Sequence, residues 1–377
     1  MPKYSGKEVS RAGDVLIQEN IAEKDYAAYE RAMDVLSYWR SCHEVPLTQA
    51  VRLLAETAKK YDDKVVVAKR LKRTPSILNK LRRFKGMTLR SMQDIEGCRA
   101  IVANEKRAWK LVRELKRKKE FRIKDYITDP KVDGYRSIHL VSDFSNGQEG
   151  VRPIEIQVRT AAQHAWATAV EIIDLFTGQA IKANRGSAEW QHFFRCASDQ
   201  LAFIEDIPVY NQISPEKLAR ELFIRLKDDT KPDRRDFIRK NTETLYILEG
   251  RLNVLANFTA YAGSLKAADD HLAKVAISGY VLLEIDLKEN KVGTRIFKKE
   301  NFAASTAAYL EAEKRALTTQ GLVVALVSSD AVGGIKEAYP NYFADSSVFL
   351  HYVSASREAY RAFDQSDFSR AFKRLFG

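Results

Sequence analysis

Along the first 60 residues, apolar positions recur at helical spacing. Tyr26, Tyr29, Met33, Leu36 and Trp39 form one series, and Leu47, Val51, Leu54 and Ala58 form another. From Lys64 the period shortens, and β-branched runs predict strands in KVVVAKRLK, CRAIVA, FRIKDYI, YRSIHLVSDF and PIEIQVRT. Helical stretches separate some of them, TPSILNKLRR and EKRAWKLVRELKRKKE, and AAQHAWATAVEIIDLF follows the last. Thr74 and Pro75 suit a helix start, a capping side chain followed by a proline in the first turn. Strands joined both by helices and by tight turns predict an α+β domain with a mixed sheet flanked by helices.

Beyond this block, AEWQHFFRCASDQLAFIED continues as helix, and Ile207-Pro208 and Ser214-Pro215 punctuate the chain. A long helical section is expected over roughly 215–273. GYVLLEIDL and GTRIFKK then read as a hairpin about KENKVG, followed by a helix (NFAASTAAYLEAEKRAL), a strand (LVVALVSS) and a terminal helical region. The expected division is 1–210, 211–273 and 274–377.

Alternation along the strands supplies the chemistry. Residues two apart share a face, so Glu155, Gln157 and Arg159 face one way while Ile154, Ile156 and Val158 face the other. Arg70 and Lys72 share a side opposite Leu71, and Tyr135, Ser137 and His139 alternate with Arg136, Ile138 and Leu140. A solvated strand would also alternate, but these ladders mix cations, a carboxylate, amides and an aromatic. Asp94, just ahead of the strand holding Arg99, adds a second carboxylate. Asp94 and Glu155 together would supply the oxygen ligands of a Mg²⁺–nucleotide site. Arg70, Lys72 and Arg99 could hold a triphosphate, Gly134 permits close backbone approach, and Tyr135 offers a ring for base stacking.

Composition narrows the partners. The 377-residue chain is 45% hydrophobic, enough for a buried core, and carries 62 Lys and Arg against 50 Asp and Glu, a net +12 that favours polyanions. Three cysteines without CxxC pairing argue against a disulfide framework or a thiolate zinc site. None of the six histidines is followed by Asp, so a His/Asp metal hydrolase is unsupported. No Walker A motif is present. Without a signal-peptide pattern or an apolar run of spanning length, the expected setting is cytoplasmic, with no membrane partner.

RLKRTPSILNK, DIEGCR, GYRSIH and EIQVRT…WA, in that order, resemble the synthetase domain of the RelA/SpoT family over roughly residues 20–210. That resemblance implies a nucleotidyltransferase-like fold and transfer of the β,γ-pyrophosphate of ATP to a ribose 3′-hydroxyl. It implies that Arg70 and Arg99 sandwich adenine, with Lys72, Ser76 and Lys80 around the phosphates. Asp94 would bind Mg²⁺, and Glu155 would share the metal or take the 3′-hydroxyl proton. Tyr135 would stack on the acceptor base, with His139 and Gln157 positioning the acceptor. No hydrolase domain is expected ahead of it.

The pair Tyr339 and Tyr342, within a β-containing C-terminal unit, resembles the fused toxin–antitoxin proteins called CapRel. That implies a C-terminal regulatory region, helical with a small β-containing, zinc-finger-like but metal-free part, whose tyrosines obstruct the adenine pocket. A phage protein, typically the major capsid protein, would release it. The face bearing Lys106, Lys110, Arg113 and Arg117 is either a solvated surface or a tRNA-tracking patch. Three functions are therefore carried forward. One is a tRNA 3′-end pyrophosphokinase released from self-inhibition, another an alarmone synthetase using free GDP or GTP, and the last a catalytically dead RNA-binding or sensing module.

Overall fold

The computed structural model describes residues 3–72, 74–147, 150–177, 186–207, 210, 213–228, 232–259, 279–286, 289, 291–298, scattered positions between 301 and 319, 322–328 and 347–364. Two compact units emerge. One comprises residues 1–130 with 136–161, and the other 131–135 with 162–377.

In the first unit, helices α1 (Gly6–Leu16), α2 (Ile21–Lys24), α3 (Tyr26–Ser41) and α4 (Glu44–Ala58) precede β1 (Val66–Leu71). Then come α5 (Thr74–Arg83), β2 (Glu96–Val102), α6 (Glu105–Lys118), β3 (Arg122–Asp125), β4 (Ile138–Ser145) and β5 (Val151–Thr160). The sheet runs β1-β2-β5-β4-β3. β2 and β5 are parallel and every other pairing is antiparallel, the mixed sheet expected from the sequence.

The apolar side of the sheet carries Cys98, Ala100, Ile154, Ile156, Val158, Ile138 and Leu140, all fully buried. It packs against Leu47, Leu54 and Ala58 of α4 and Ala108, Leu111, Val112 and Leu115 of α6. The helical period of α6 is thus resolved into one face on the sheet and one carrying its cations. The side chain of Asn104 caps this helix by accepting from the Arg107 N–H at 3.0 Å. A second cluster joins α1, α3 and α5 through Val9, Leu16, Leu36, Trp39, Ile77 and Leu81. Tyr26, which shares the period of this series, stands at the first turn of α3 and is 64% exposed.

The second unit contains α7 (Ala161–Thr177), α8 (Ala188–Ile204), α9 (Pro215–Asp228), α10 (Pro232–Leu252), β6 (Gly279–Asp286), β7 (Lys291–Lys298), β8 (Leu322–Ser328) and α11 (Ser347–Asp364). The hairpin expected from GYVLLEIDL and GTRIFKK is β6–β7, and β8 pairs with the other side of β6, all antiparallel. α11 belongs to the helical core, where Phe349 stacks on Phe194 at 5.9 Å between ring centroids and also contacts Phe258. Tyr339 and Tyr342 lie outside the described residues.

One strand is shorter than its alternation suggests. β4 begins at Ile138, so Tyr135 and Ser137 precede it. Gly134, at φ +90°, turns the chain there, and residues 131–135 are pinned within the second unit. Ser198 Oγ donates to the Gly134 carbonyl at 2.5 Å, and Arg195 Nε to the Val132 carbonyl at 3.0 Å. No described helix is long and apolar enough to cross a membrane.

Candidate active site

Cross-strand register gathers the polar ladder into one patch. Gln157 stands opposite Arg99 on β2 and opposite His139 on β4, and Gly97 stands opposite Glu155. Directly opposed residues share a face, so Arg99, Glu155, Gln157, Arg159 and His139 converge on the side of the sheet away from α4 and α6. Gly97 is required here. A Cβ at that position would lie 2.5 Å from the Glu155 carbonyl oxygen, so the two backbones approach as closely as they do only because the residue is glycine.

Both oxygens of Glu155 are engaged. Nδ1 of His139 donates to Oε1 at 2.9 Å, and Nε2 of Gln157 donates to Oε2 at 2.6 Å. The His139 ring is held edge-to-face by Tyr126, with centroids 5.2 Å apart. Burial, and then the charge of Glu155, push the thiol of Cys98 up to about 12, which leaves it inert.

A second cluster forms where β1 ends. Lys72 donates its backbone N–H to the Ile95 carbonyl at 3.2 Å, placing its side chain beside the turn before β2. Its ammonium pairs with Asp94 Oδ2 at 2.5 Å, and Lys80, one turn from the end of α5, pairs with Oδ1 at 2.7 Å. Burial alone would raise the pKa of Asp94, but the Lys72 and Lys80 ammonium groups outweigh it and hold the carboxyl below its ordinary value.

The remaining residues fall as follows. Ser76 is exposed on α5. Arg70 lies in β1 opposite Gly97, and its side chain is outside the described residues. Tyr135 belongs to the second unit, where its ring meets Trp166 at 6.3 Å and the Lys131 ammonium at 4.7 Å. Lys106, Lys110, Arg113 and Arg117 are all exposed along α6. The structure thus joins Asp94 to Lys72 and Lys80, and Glu155 to His139, Gln157, Arg99 and Arg159, as two side-chain clusters.

Gly97 and Tyr126 carry roles that the strand patterns left unassigned. An isolated glycine inside a strand pattern is itself a signal of close backbone approach, and DIEGCR contains one. Tyr126 had no such signal, because its partner His139 is reached only through the β3–β4 pairing.

Among the described residues, no group of three or more His, Cys, Asp or Glu is arranged to hold a metal. Mg²⁺ needs few protein ligands when phosphates and water supply the rest. The donors fit Mg²⁺ brought with a nucleotide: Asp94 is an ionised hard-oxygen ligand, and the lysines now on it are the charges that phosphate attracts. Glu155 is the second carboxylate of suitable chemistry.

Residues 69–172, which hold both clusters, match the family model described as "Region found in RelA / SpoT proteins". This segment is similar to that region. A probable GTP diphosphokinase, RSH3, of Arabidopsis thaliana is 36% identical over 131 residues, covering 34% of this chain and 18% of the relative. The GTP pyrophosphokinases YwaC and YjbM of Bacillus subtilis are 40% and 37% identical, covering 26% and 32% of this chain and 52% and 61% of their own lengths. The chain thus spans under a fifth of the plant relative and 52% and 61% of the bacterial ones. Among solved structures, small alarmone synthetase 2 of B. subtilis is similar at a TM-score of 0.39 and 26% identity, covering 45% of this chain and 94% of that one. Every strand of the first unit's sheet, from β1 to β5, falls within or across the matched residues.

Proposed function

We propose that the chain is an ATP-dependent pyrophosphokinase that transfers the β,γ-diphosphate of ATP to the 3′-hydroxyl of GDP or GTP. The observation that carries this reading is the doubly hydrogen-bonded Glu155 beside the Arg99 strand, within the matched segment. The names of the relatives, GTP pyrophosphokinase and GTP diphosphokinase, favour a guanine nucleotide as acceptor.

In the reaction, the 3′-oxygen forms a bond to the β-phosphorus of ATP, and the bond from that phosphorus to the α–β bridging oxygen breaks. AMP leaves, and the hydroxyl proton passes to Glu155. His139 and Gln157 fix the orientation in which the carboxylate meets the hydroxyl, an orientational contribution. Lys72 and Lys80 exchange Asp94 for the phosphates and neutralise charge developing on them. Mg²⁺, held by Asp94 and Glu155, would supply further neutralisation. Arg70 and Arg99 flank the adenine, Ser76 lies with the phosphates, and Tyr135 stacks on the acceptor base.

A second reading, transfer to the 3′-terminal adenosine of tRNA, is favoured by the exposed cations of α6. Beyond Lys106, Lys110, Arg113 and Arg117, a depression of about 320 Å³ is lined by Lys116–Phe121, a phosphate-attracting surface. Inhibition through Tyr339 and Tyr342, and release by a phage capsid protein, belong to this reading.

The test incubates the full chain, and a Tyr339→Ala/Tyr342→Ala variant, with γ-labelled ATP and GDP, GTP or deacylated tRNA. Label on GDP or GTP, abolished by Asp94→Asn, is expected. Label confined to tRNA, and weakened by charge reversal at Lys110 and Arg113, would install the second reading. No label from either protein would remove both.

A further inference from the structure

Gln157 is the centre of the polar patch, and its side-chain amide has two ends of nearly equal shape and opposite polarity. The NH₂ end donates to Glu155 at 2.6 Å, while the carbonyl end accepts from Arg159 NH2 at 3.0 Å and from Arg99 NH2 at 3.4 Å. Turned by half a rotation, the amide would set its carbonyl against the Glu155 carboxylate and its NH₂ against two guanidinium groups. Both contacts would then be repulsive. The orientation of this amide is therefore set jointly by the carboxylate at its NH₂ end and by the cations at its carbonyl end. Gln157 is only 3% exposed, so water does not substitute for them.

The two cations are not equivalent. Arg99 is the residue placed beside the purine in the reaction above, and its contact with Gln157 is at the long limit of a hydrogen bond. Arg159 is closer, 5% exposed, and two residues along the same strand, where the pleat fixes it on the same face. A charge-assisted bond from a buried guanidinium is among the stronger orienting contacts available to an amide.

We infer that Arg159 is a positioning residue for the transfer reaction: it fixes the Gln157 amide so that its NH₂ end holds the carboxylate of Glu155. Arg159 itself touches neither nucleotide. It acts through Gln157, and Gln157 acts through Glu155. The inference rests on the pyrophosphokinase reading for its kinetic consequence but not for its structural one.

The test pairs kinetics with side-chain NMR on the full chain, using ATP and GDP as substrates. Arg159→Met, which keeps length and loses the donor, should lower kcat by about 10- to 100-fold with the KM for ATP changed less than about twofold. Arg159→Lys, which retains a donor, should restore most of the loss. In a Gln157→Leu background the Arg159→Met change should cost little more, because the two residues act in series. Equal costs in both backgrounds, or a loss confined to the KM for ATP, would overturn the assignment.

If Arg159→Met fails to fold, Arg159→Ala takes its place in the cycle with Gln157→Leu, with the same non-additivity expected. The second measurement needs no activity. The Gln157 side-chain NH₂ resonances should be protected from solvent exchange in the native chain and lose that protection in Arg159→Met, or in Arg159→Lys to a smaller degree. Unchanged protection would overturn the inference. A native chain that shows the protection but forms no product would count against the pyrophosphokinase reading alone.

Discussion

Gly134→Ala tests how the loop bearing Tyr135 is held. At φ +90° an added Cβ enters the left-handed region, which costs an L-residue roughly 1–2 kcal/mol. It would also meet Arg195 Cα and Ser198 Cβ at 3.1 Å and the Phe194 carbonyl oxygen at 3.3 Å. These atoms belong to or sit against the backbone of α8, so no flexible side-chain end can swing away. Overpacking of this kind costs about 1–3 kcal/mol. The sum is about 2–5 kcal/mol. Gly86 provides the control, because at φ +88° its added Cβ meets nothing within 4 Å. Gly86→Ala therefore carries the backbone cost alone. Urea denaturation of both variants, followed by tryptophan fluorescence and circular dichroism, should show the larger loss for Gly134→Ala by about 1–3 kcal/mol. With GDP as acceptor, Gly134→Ala should raise the acceptor KM about tenfold and leave the KM for ATP near its native value, since Tyr135 moves with the loop. Equal destabilisation by the two substitutions would refute the claim that α8 presses on this loop.

Asp94→Asn removes the anion shared by Lys72 and Lys80, and activity should fall on the order of 100- to 1000-fold in a radiolabel transfer assay, while the urea midpoint also drops because two partly buried ammonium groups lose their counter-charge. Burial pushes the pKa of Glu96 up to about 7 from 4.5, so the folded chain keeps a proton that the unfolded chain releases. Stability from this group is present below pH 4.5 and lost as pH rises through 7. Glu96→Gln should accordingly gain up to ~3 kcal/mol over the native chain at pH 8 and nothing at pH 4, read from urea midpoints. His43 works in the opposite sense. Burial lowers it to about 4 from 6.5, so its stability is present above pH 6.5 and lost as pH falls through 4. In the Glu96→Gln chain, acidification from pH 7 to 5 should therefore cost ~2 kcal/mol, a loss that Glu96 offsets in the native chain.

The sheet was legible because strand alternation and β-branched runs are local signals. KVVVAKRLK through PIEIQVRT locate all five strands, and the helical stretches between them locate α5 and α6. The extension of β4 back to Tyr135 failed because alternation continues through YRS, while a glycine turn and contacts with α8 some 60 residues away decide the backbone. Within the site, alternation assigns Glu155, Gln157 and Arg159 to one face but says nothing of what they touch. Their hydrogen bonds follow from register, which sets Gln157 between Arg99 and His139. Likewise, Asp94 reads from sequence as half of a carboxylate pair, whereas its hydrogen-bonded partners are the lysines that β1 and α5 bring to it.

Strand order also decides which side of the site can loosen. β5 is hydrogen-bonded to neighbours on both edges, whereas β1 lies at the margin of the sheet. Fraying begins at margins, so Lys72 and the chain leading into α5 can detach in a partial opening that leaves Glu155 and Gln157 in place. Loosening of the Lys72–Asp94 cluster and of the Glu155–Gln157 cluster are consequently separate events, and a slow exchange of amide hydrogens in β5 beside a fast exchange in β1 is their signature.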